Sequence, residues 1–204
     1  MDQAWLGKAY LTHYRGVKRV PWRHGEPSSR QSPESEKTLS TALPRPELPS
    51  VPAAVRTAGS EDVGAVHRLS RPFVREGALR DRTVAELARR ATDFLVVEAG
   101  RAGPVGCVGL RTRTDARGRA AVVLYNFCVA PGHQGRGIGS ALLGAALGVA
   151  GARGAARVFT ATTGSGLLFL RYGFAFGGEE DAPPAWRASL DPARGSRVLV
   201  RPLG

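Results

Sequence analysis

The chain has 204 residues, of which 43% are hydrophobic, and its 29 Lys and Arg against 17 Asp and Glu give a formal net charge of +12. No stretch approaches the roughly 18 consecutive apolar residues that a membrane span requires. The N-terminus lacks the apolar run and cleavage site of a secretory signal. Two cysteines provide neither a disulfide framework nor metal-ligand spacing. We therefore expect a reduced, cytoplasmic protein without a bound metal.

The positive charge suits nucleic acid, anionic lipid or phosphorylated small molecules as partners. From residue 53 onward the chain has no lysine, and its arginines are scattered rather than gathered in one basic helix or run. We therefore expect a small-molecule partner, such as a phosphorylated one, rather than nucleic acid or a membrane, and a homodimer stays open.

Residues 1–52 differ in composition from the rest of the chain. They contain seven of its 14 prolines and a long polar stretch. Such a composition cannot bury enough apolar surface to fold alone. We predict a disordered N-terminal tail over 1–52 and one folded domain over 53–204.

The folded part predicts an α+β order of strands and helices. Ser60 is predicted to cap a first helix, and Thr83 with Glu86 forms the capping box of a second. The long apolar strand over 120–131 ends at Pro131, and a helix to about Ala150 follows. The other predicted elements are strands over 53–58, 94–100, 103–113, 156–162 and 196–203, and a short helix within 164–174.

A glycine-rich stretch, residues 131–139, joins the central strand to this long helix. Each glycine weakens a helix by roughly 1 kcal/mol relative to alanine, but glycine lets the backbone approach a ligand closely. The first amides of a helix have no intrahelical partner and carry partial positive charge. The stretch therefore predicts an anion cradle suited to a diphosphate, with Arg136 at its rim.

The pattern Gln-x-x-Gly-x-Gly, from Gln134 to Gly139, with "FLRYGF" downstream, resembles the GNAT family of N-acetyltransferases. The resemblance implies a mixed, mostly antiparallel central sheet flanked by helices, and acetyl-coenzyme A as co-substrate. Its pantetheine arm would lie along the strand edge at Phe127 and Val129, and the Val129 N–H would polarise the thioester carbonyl. The pyrophosphate would bind the backbone amides of the cradle, which consists of Gln134, Gly135, Arg136, Gly137, Ile138 and Gly139.

Three blocks of the chain resemble bacterial N-acetylglutamate synthases within that family. They are the segment from Gly77 to Thr83, the stretch "FTATTGSGLLFLRYGF", and the C-terminal "PARGSRVLVRPLG". The resemblance implies acetylation of the α-amino group of L-glutamate, the first step of arginine biosynthesis. Two carboxylates need two cationic forks, and arginine binds carboxylate in bidentate fashion. The glutamate-binding residues implied are Leu79, Arg82, Arg194 and Ser196.

The resemblance also bears on proton transfer. Ser165 matches the serine that protonates the leaving thiolate in that family, although a serine at a helix start also fits an N-cap. Phe169 stands where a tyrosine acid is common, and Tyr172 is out of register. Val123 stands where the family often carries a glutamate base, so Tyr125, Asn126 or water chains would remove the amine proton.

Two other functions stay open. One is a GNAT enzyme for another small amine, such as a toxic amino-acid analogue. The other is a domain that binds acetyl-coenzyme A as a sensor without turnover. The missing glutamate at Val123 favours both, whereas the four residues Arg82, Ser165, Arg194 and Ser196 favour glutamate. Cys107 and Cys128 are interpreted as small buried residues.

Overall fold

The computed structural model describes residues 54–100 and 103–204. The predicted tail over 1–52 and the exact start of the domain lie outside the described residues and stay predictions. The described residues form a sheet of seven strands: β1 (Val55–Thr57), β2 (Phe94–Glu98), β3 (Pro104–Thr114), β4 (Ala120–Val129), β5 (Arg157–Thr162), β6 (Ala175–Phe176) and β7 (Arg197–Pro202). The α-helices are α1 (Val63–Arg75), α2 (Val84–Ala88), α3 (Ile138–Ala152), α4 (Leu167–Arg171) and α5 (Pro184–Arg187).

The strands are ordered β1-β2-β3-β4-β5-β7-β6 across the sheet. Every neighbouring pair is antiparallel except β4 and β5, which run parallel. This confirms the predicted α+β fold with a mixed, mostly antiparallel sheet. Among the described helices, none has both the length and the apolar character needed to cross a membrane.

The parallel pair β4–β5 separates at the end that leads to the glycine-rich stretch. Their last register pair is Val123 with Phe159, although β4 continues to Val129 and β5 to Thr162. Beyond that pair, no strand among the residues that the structure describes lies beside this edge of β4. An open edge with unpaired backbone groups is a surface on which an extended ligand can add like a strand.

A bulge in β4 lies beside this opening. The register advances two residues in β3, from Cys107 to Gly109, while it spans three residues in β4, from Cys128 to Tyr125. Asn126 has a φ of 52°, in the left-handed region. One extra residue in one strand of an antiparallel pair bends that strand and redirects its side chains.

The core lies on both faces of the sheet. On one face α3 buries its apolar stripe, and on the other α1 and α2 bury Val63, Val66 and Leu87 over β2, β3 and β4. A third cluster covers Val123 with the 182–190 segment, including Trp186. The buried stripe of α3 consists of Ile138, Leu142, Leu143, Ala146 and Ala150.

The two predicted helix caps have different outcomes. The Thr83 capping box is confirmed: Thr83 Oγ1 accepts from the Glu86 amide at 3.2 Å, and Glu86 accepts from the Thr83 amide at 2.8 Å. The cap at Ser60 is wrong, because Ser60 begins a 3₁₀ turn and α1 starts at Val63. Asp62 orders this turn instead, since its carboxylate accepts from the Gly59 amide at 2.8 Å.

Gly109 in β3 packs directly against the ring of Tyr125 in β4. A Cβ at Gly109 would overlap the ring of Tyr125, its register partner. We expect Gly109→Ala to lower the free energy of unfolding by about 1–3 kcal/mol, because a packed neighbour must move. Gly148→Ala is the matched control: this helical position has open space and should gain about 0.5–1 kcal/mol. Urea unfolding of both variants checks this, and an unchanged midpoint for Gly109→Ala would contradict it.

Candidate active site

The segment 131–139, here called the glycine loop, connects the end of β4 to the start of α3. It begins with a 3₁₀ turn, Pro131–His133, and ends at Gly137, the residue before α3. Gly135 and Gly137 have φ values of 74° and 80°, a region that side chains disfavour. A Cβ on either glycine would meet no atom within 4 Å. The loop therefore presents bare backbone to open space.

The amides of residues 135–140 donate no hydrogen bond to any acceptor among the described residues. The first bond of the helix runs from the Ala141 amide to the Gly137 carbonyl at 2.9 Å. These amides point from the positive end of a 15-residue helix, which is the geometry of an anion-binding site. Gln134 is an exception to the prediction, because its backbone amide donates to Pro131 at 3.3 Å.

Side chains of the loop have separate roles. Gln134 Nε2 donates to the Val129 carbonyl at 3.0 Å and so ties the loop to the end of β4. Ile138 is buried in the core and offers only its amide to the cradle. Arg136 is exposed in the glycine loop, and its place at the rim of an anion site stays a prediction. A Cβ at Gly139 would lie 3.1 Å from Leu168, so this glycine also admits close packing by α4.

The open edge of β4 presents the amide of Val129. The next amide, that of Ala130, donates to Val105 in β3 at 2.8 Å. Successive amides of a strand point to opposite sides, so the Val129 N–H points away from β3 toward the opening. The Phe127 ring packs edge-on against Phe169, with centroids 5.5 Å apart. Phe127 therefore contributes its backbone to this edge and its side chain to the core.

A pocket on the other face of the sheet, here called the α1 pocket, opens between α1 and residues 80–82. The pocket and the open solvent at its mouth together occupy about 190 Å³. Three of its lining side chains are arginines and one is an aspartate, so its net charge is positive. Of the predicted site residues, Arg82 and Asn126 line it. The full lining is His67, Ser70, Arg71, Val74, Arg80, Asp81, Arg82, Leu87 and Asn126.

Arg82 is half-buried at this pocket and has an unusual set of partners. Its Nη1 donates to the Arg80 carbonyl at 3.2 Å and to Asn126 Oδ1 at 3.4 Å, and its guanidinium lies 5.0 Å from the Tyr125 ring centroid. Burial lowers its pKa from the usual value, and the group stays charged at neutral pH. Among the described residues, no carboxylate forms an ion pair with it. The guanidinium can therefore pair with an anionic ligand.

Asn126 connects Arg82 to α1. The Asn126 amide donates to Ser70 Oγ at 2.8 Å, and Ser70 Oγ donates to the Val66 carbonyl at 2.8 Å. Asn126 is only 5% exposed. The sequence analysis did not predict a role for Ser70. The one feature that could have indicated it is the position of this polar residue on the apolar stripe of an amphipathic helix.

Tyr125 makes contacts that keep its phenol protonated. Its hydroxyl donates to Asp93 Oδ2 at 3.2 Å, and Arg111 pairs with the same carboxylate oxygen at 3.0 Å. Burial, followed by the charge of Asp93, raises the pKa of Tyr125 to about 12. A phenol with that pKa is a poor base at neutral pH. Asp93 and Arg111 were not predicted, because no local pattern indicates that Asp93, just before β2, pairs with Arg111 in β3.

The remaining predicted residues lie where the chain segments 77–79, 163–165 and 194–197 meet. Arg194 Nη2 donates to the carbonyls of Gly77 and Ala78 at 2.9 and 3.0 Å. Leu79 donates its amide to Phe73 at 3.0 Å, so its backbone offers a ligand only the carbonyl. Ser196 is half-buried beside Arg194.

Ser165 is exposed in the loop after β5. Gly166, with a φ of 71°, is the residue before α4, so the N-cap interpretation of Ser165 is wrong. Arg197 Nη2 donates to the Gly164 carbonyl at 3.1 Å and holds this loop to the start of β7. The Ser165 hydroxyl is therefore presented to solvent at the end of β5.

Two positions of interest belong to the core. Val123 is 3% exposed under the 182–190 segment, so a charged base at that position would be buried among apolar groups. Tyr172 packs as well, and its hydroxyl donates to the Ser140 carbonyl at 3.0 Å.

Two curated proteins are similar in sequence to this chain over 151 residues. The amino-acid acetyltransferase of Neisseria meningitidis is 29% identical over 151 residues, which are 74% of this chain and 34% of that protein. The amino-acid acetyltransferase of Pseudomonas putida is 32% identical over 151 residues, which are 73% of this chain and 34% of that protein. The chain thus spans about a third of the length of the curated relatives it matches.

Solved structures share the fold. N-acetylglutamate synthase from Neisseria gonorrhoeae, complexed with coenzyme A and N-acetyl-glutamate, has a TM-score of 0.68 at 28% identity over 74% of this chain and 35% of that chain. A protein from Mycobacterium tuberculosis, in complex with CoA and NLQ, has a TM-score of 0.60 at 23% identity over 74% of this chain and 99% of that chain. The second similarity concerns the fold alone.

The family model described as acetyltransferase (GNAT) family matches residues 63–174, more than half of the chain. That range contains α1 to α4, the bulged strand β4 and the glycine loop. The chain therefore belongs to the GNAT family of acetyltransferases.

Proposed function

We propose that the protein transfers an acetyl group from acetyl-coenzyme A to the α-amino group of L-glutamate, in the cytoplasm, as the first step of arginine biosynthesis. The observation that carries this proposal is Arg82, a half-buried guanidinium that lines a pocket and has no carboxylate partner among the described residues. A buried cation without a counter-ion is costly unless a ligand supplies one. The amino-acid acetyltransferases among its relatives support the same substrate class.

Acetyl-coenzyme A would bind across the glycine loop and the open edge of β4. The unpaired amides of residues 135–140 suit its pyrophosphate, and Arg136 adds a positive charge at the rim. The separation of β4 from β5 leaves room for the pantetheine arm. The Val129 N–H, which points into this opening, would polarise the thioester carbonyl. The coenzyme A complex of N-acetylglutamate synthase from Neisseria gonorrhoeae supports coenzyme A as the ligand.

Glutamate would bind between the α1 pocket and the segment that carries Arg194. Arg82 would pair with one carboxylate, and Arg194 with Ser196 would bind the other. Arg194 uses Nη2 for the Gly77 and Ala78 carbonyls, which leaves Nη1 or Nε to donate a single hydrogen bond to a carboxylate. The Leu79 carbonyl suits the amino group of the substrate, because an ammonium donates and a carbonyl accepts.

In the proposed reaction the amine loses a proton and attacks the thioester carbonyl directly. The new C–N bond forms a tetrahedral intermediate whose oxyanion is held by the Val129 N–H. The C–S bond then breaks, and Ser165 donates a proton to the thiolate of coenzyme A. The nitrogen of the intermediate gives up its second proton, which returns to Ser165 through water. Tyr125 keeps its proton, so we propose that water removes the amine proton and that Tyr125 and Asn126 position Arg82.

A second candidate is the acetylation of another small amine. Asp81 favours it, because this aspartate lines the α1 pocket beside Arg71, with Arg71 Nη1 3.5 Å from Asp81 Oδ1. An exposed ion pair of that length is weak, so Asp81 is available to a cationic acceptor. An assay of thiol release from acetyl-coenzyme A with a panel of amino acids and amines separates the two candidates. Binding of acetyl-coenzyme A without thiol release from any acceptor would instead indicate a sensor.

Asn126→Gly isolates the role of the Asn126 side chain. Glycine adopts the φ of 52° without strain, so the bulge should persist while Arg82 and Ser70 lose their partner. We expect the KM for glutamate to rise about tenfold with little change in coenzyme affinity, because one hydrogen bond to a charged group is worth roughly 1.5–3 kcal/mol. Initial rates and calorimetry check this, and an unchanged glutamate KM would contradict it.

A further inference from the structure

The two cysteines of the chain lie directly opposite each other on adjacent strands. Cys107 in β3 and Cys128 in β4 are register partners, and their Sγ atoms are 3.6 Å apart. Opposed residues in an antiparallel pair have Cα atoms about 4.5–5.5 Å apart. That spacing lies within the roughly 4.4–6.8 Å range of disulfides. A rotation of the two side chains would therefore bring the sulfurs to bonding distance with little backbone movement.

The pair lies immediately behind the α1 pocket. Both thiols are buried, with Cys107 0% and Cys128 3% exposed. Cys107 Sγ lies 3.5 Å from the Asn126 carbonyl and 3.7 Å from the Asn126 amide nitrogen. Asn126 itself lines the α1 pocket. The Asn126 side chain, in the bulge of β4, thus lies between the α1 pocket and the two sulfurs.

We propose that Cys107 and Cys128 form a redox-sensitive pair, which a small peroxide reaching it through the α1 pocket converts to a disulfide. This inference does not depend on which amine is acetylated, since it concerns the bulge and the pocket alone. It goes beyond the interpretation of both cysteines as packing residues, because an oxidant can join two thiols in contact as a disulfide.

The chemistry balances with hydrogen peroxide as the two-electron oxidant. One cysteine, as thiolate, attacks a peroxide oxygen and becomes a sulfenic acid, while the O–O bond breaks and the departing hydroxide takes up the thiol proton as water. The second sulfur attacks the sulfenic sulfur, and the hydroxyl group leaves with the second thiol proton as another water. The two sulfurs are oxidised, and one peroxide is reduced to two waters.

The surroundings of the two cysteines determine how fast they are oxidised and which oxidants can reach them. The neighbouring Cys128 thiol and burial raise the pKa of Cys107 well above its usual value, and the thiolate is the reactive form. We expect oxidation over minutes to hours rather than seconds. Because both sulfurs are buried behind Asn126, we expect a small peroxide to react faster than a large disulfide reagent.

A disulfide at this position would act on Arg82. The bond would draw Cys107 Sγ away from the Asn126 carbonyl and amide, and would fix β3 to β4 next to the bulge. Because Asn126 Oδ1 accepts from Arg82, oxidation should displace the guanidinium that faces the pocket. The glycine loop lies beyond the end of β4, so coenzyme binding should change less.

The test treats the full chain with hydrogen peroxide and then titrates its thiols after denaturation. We expect the number of free thiols to fall from two to zero, a cross-linked peptide that contains Cys107 and Cys128, and full reversal by dithiothreitol. Two alkylatable thiols after treatment, or sulfonic acids without a cross-link, would overturn the proposal. This readout needs no acceptor, so its failure is distinct from failure of the proposed acetylation.

Activity supplies the second readout. Peroxide should raise the KM for the acceptor at least about threefold in the wild-type chain, reversibly, and should leave the KM of Cys128→Ala unchanged. A wild-type cross-link that leaves the acceptor KM unchanged would overturn the coupling to Arg82. If Cys128→Ala does not fold, the cross-link and its reversal in the wild type still decide whether the pair reacts.

Discussion

Replacing Gly137 by Asp is expected to weaken acetyl-coenzyme A binding roughly a hundredfold, about 2.7 kcal/mol. The unpaired amides of residues 135–140 surround this position, and a Cβ there points into open space rather than into protein. The new carboxylate would therefore stand where the pyrophosphate is proposed to bind. Two like charges about 4 Å apart repel by several kcal/mol at the intermediate dielectric of a protein surface. Isothermal titration calorimetry measures the change.

Gly137→Asn is the matched control for that variant. Asparagine has the shape of aspartate without its charge, and it tolerates the left-handed backbone better than most residues. The φ of 80° strains both side chains alike, so the difference in affinity between the two variants reports the charge. Equal binding by Gly137→Asp and wild type would place the pyrophosphate elsewhere.

Replacing Arg82 by Ala is expected to raise the glutamate KM between about tenfold and a hundredfold, while the Kd for acetyl-coenzyme A stays within about twofold. A charge-assisted hydrogen bond to a buried carboxylate is worth roughly 1.5–3 kcal/mol. Arg82 lies on the α1 face of the sheet, whereas the coenzyme is proposed to bind along the β4 edge and the glycine loop. Initial-rate kinetics with both substrates varied separates the two effects.

Arg89→Ala provides the control for net charge near the site. Arg89 is an exposed arginine just after α2, and its removal changes the charge of the chain by the same amount. We expect this variant to keep the wild-type KM for glutamate. A similar loss in both variants would indicate a general electrostatic effect and not a carboxylate contact by Arg82.

The central part of the fold could be predicted because its signals are local. A long apolar strand, then glycines, then a stripe of apolar residues identified β4, the glycine loop and α3 in the correct order. The capping box at Thr83 and Glu86 was predicted from four neighbouring residues. Such features are determined by residues that are neighbours in the sequence, so a short stretch is enough to predict them.

The contacts that shape the acceptor side depend on residues far apart in the chain. Asn126 meets Ser70 and Arg82 across 56 and 44 residues, and Arg194 reaches Gly77 across 117. No periodicity or motif indicates which distant residues form hydrogen bonds with each other, so the role of Ser70 could not be predicted. The resemblance to a family did bring together Leu79, Arg82, Arg194 and Ser196 as candidates.

Val123 illustrates a pattern that only the structure explains. By resemblance, this position lacks the glutamate base of the family. The 182–190 segment, with Trp186 partly buried against the same cluster, covers Val123 in an apolar environment. A glutamate there would lose its hydration at high cost, so the apolar side chain of Val123 fits its surroundings.

Thiol release from acetyl-coenzyme A by the wild-type and Arg82→Ala proteins, measured with glutamate, glutamine and a cationic amine, decides whether the acceptor is a dicarboxylate. We expect wild-type turnover to be fastest with glutamate and slower with glutamine. In Arg82→Ala we expect mainly a higher KM for glutamate. Turnover with a neutral or cationic amine and none with glutamate would contradict the assignment of the dicarboxylate acceptor.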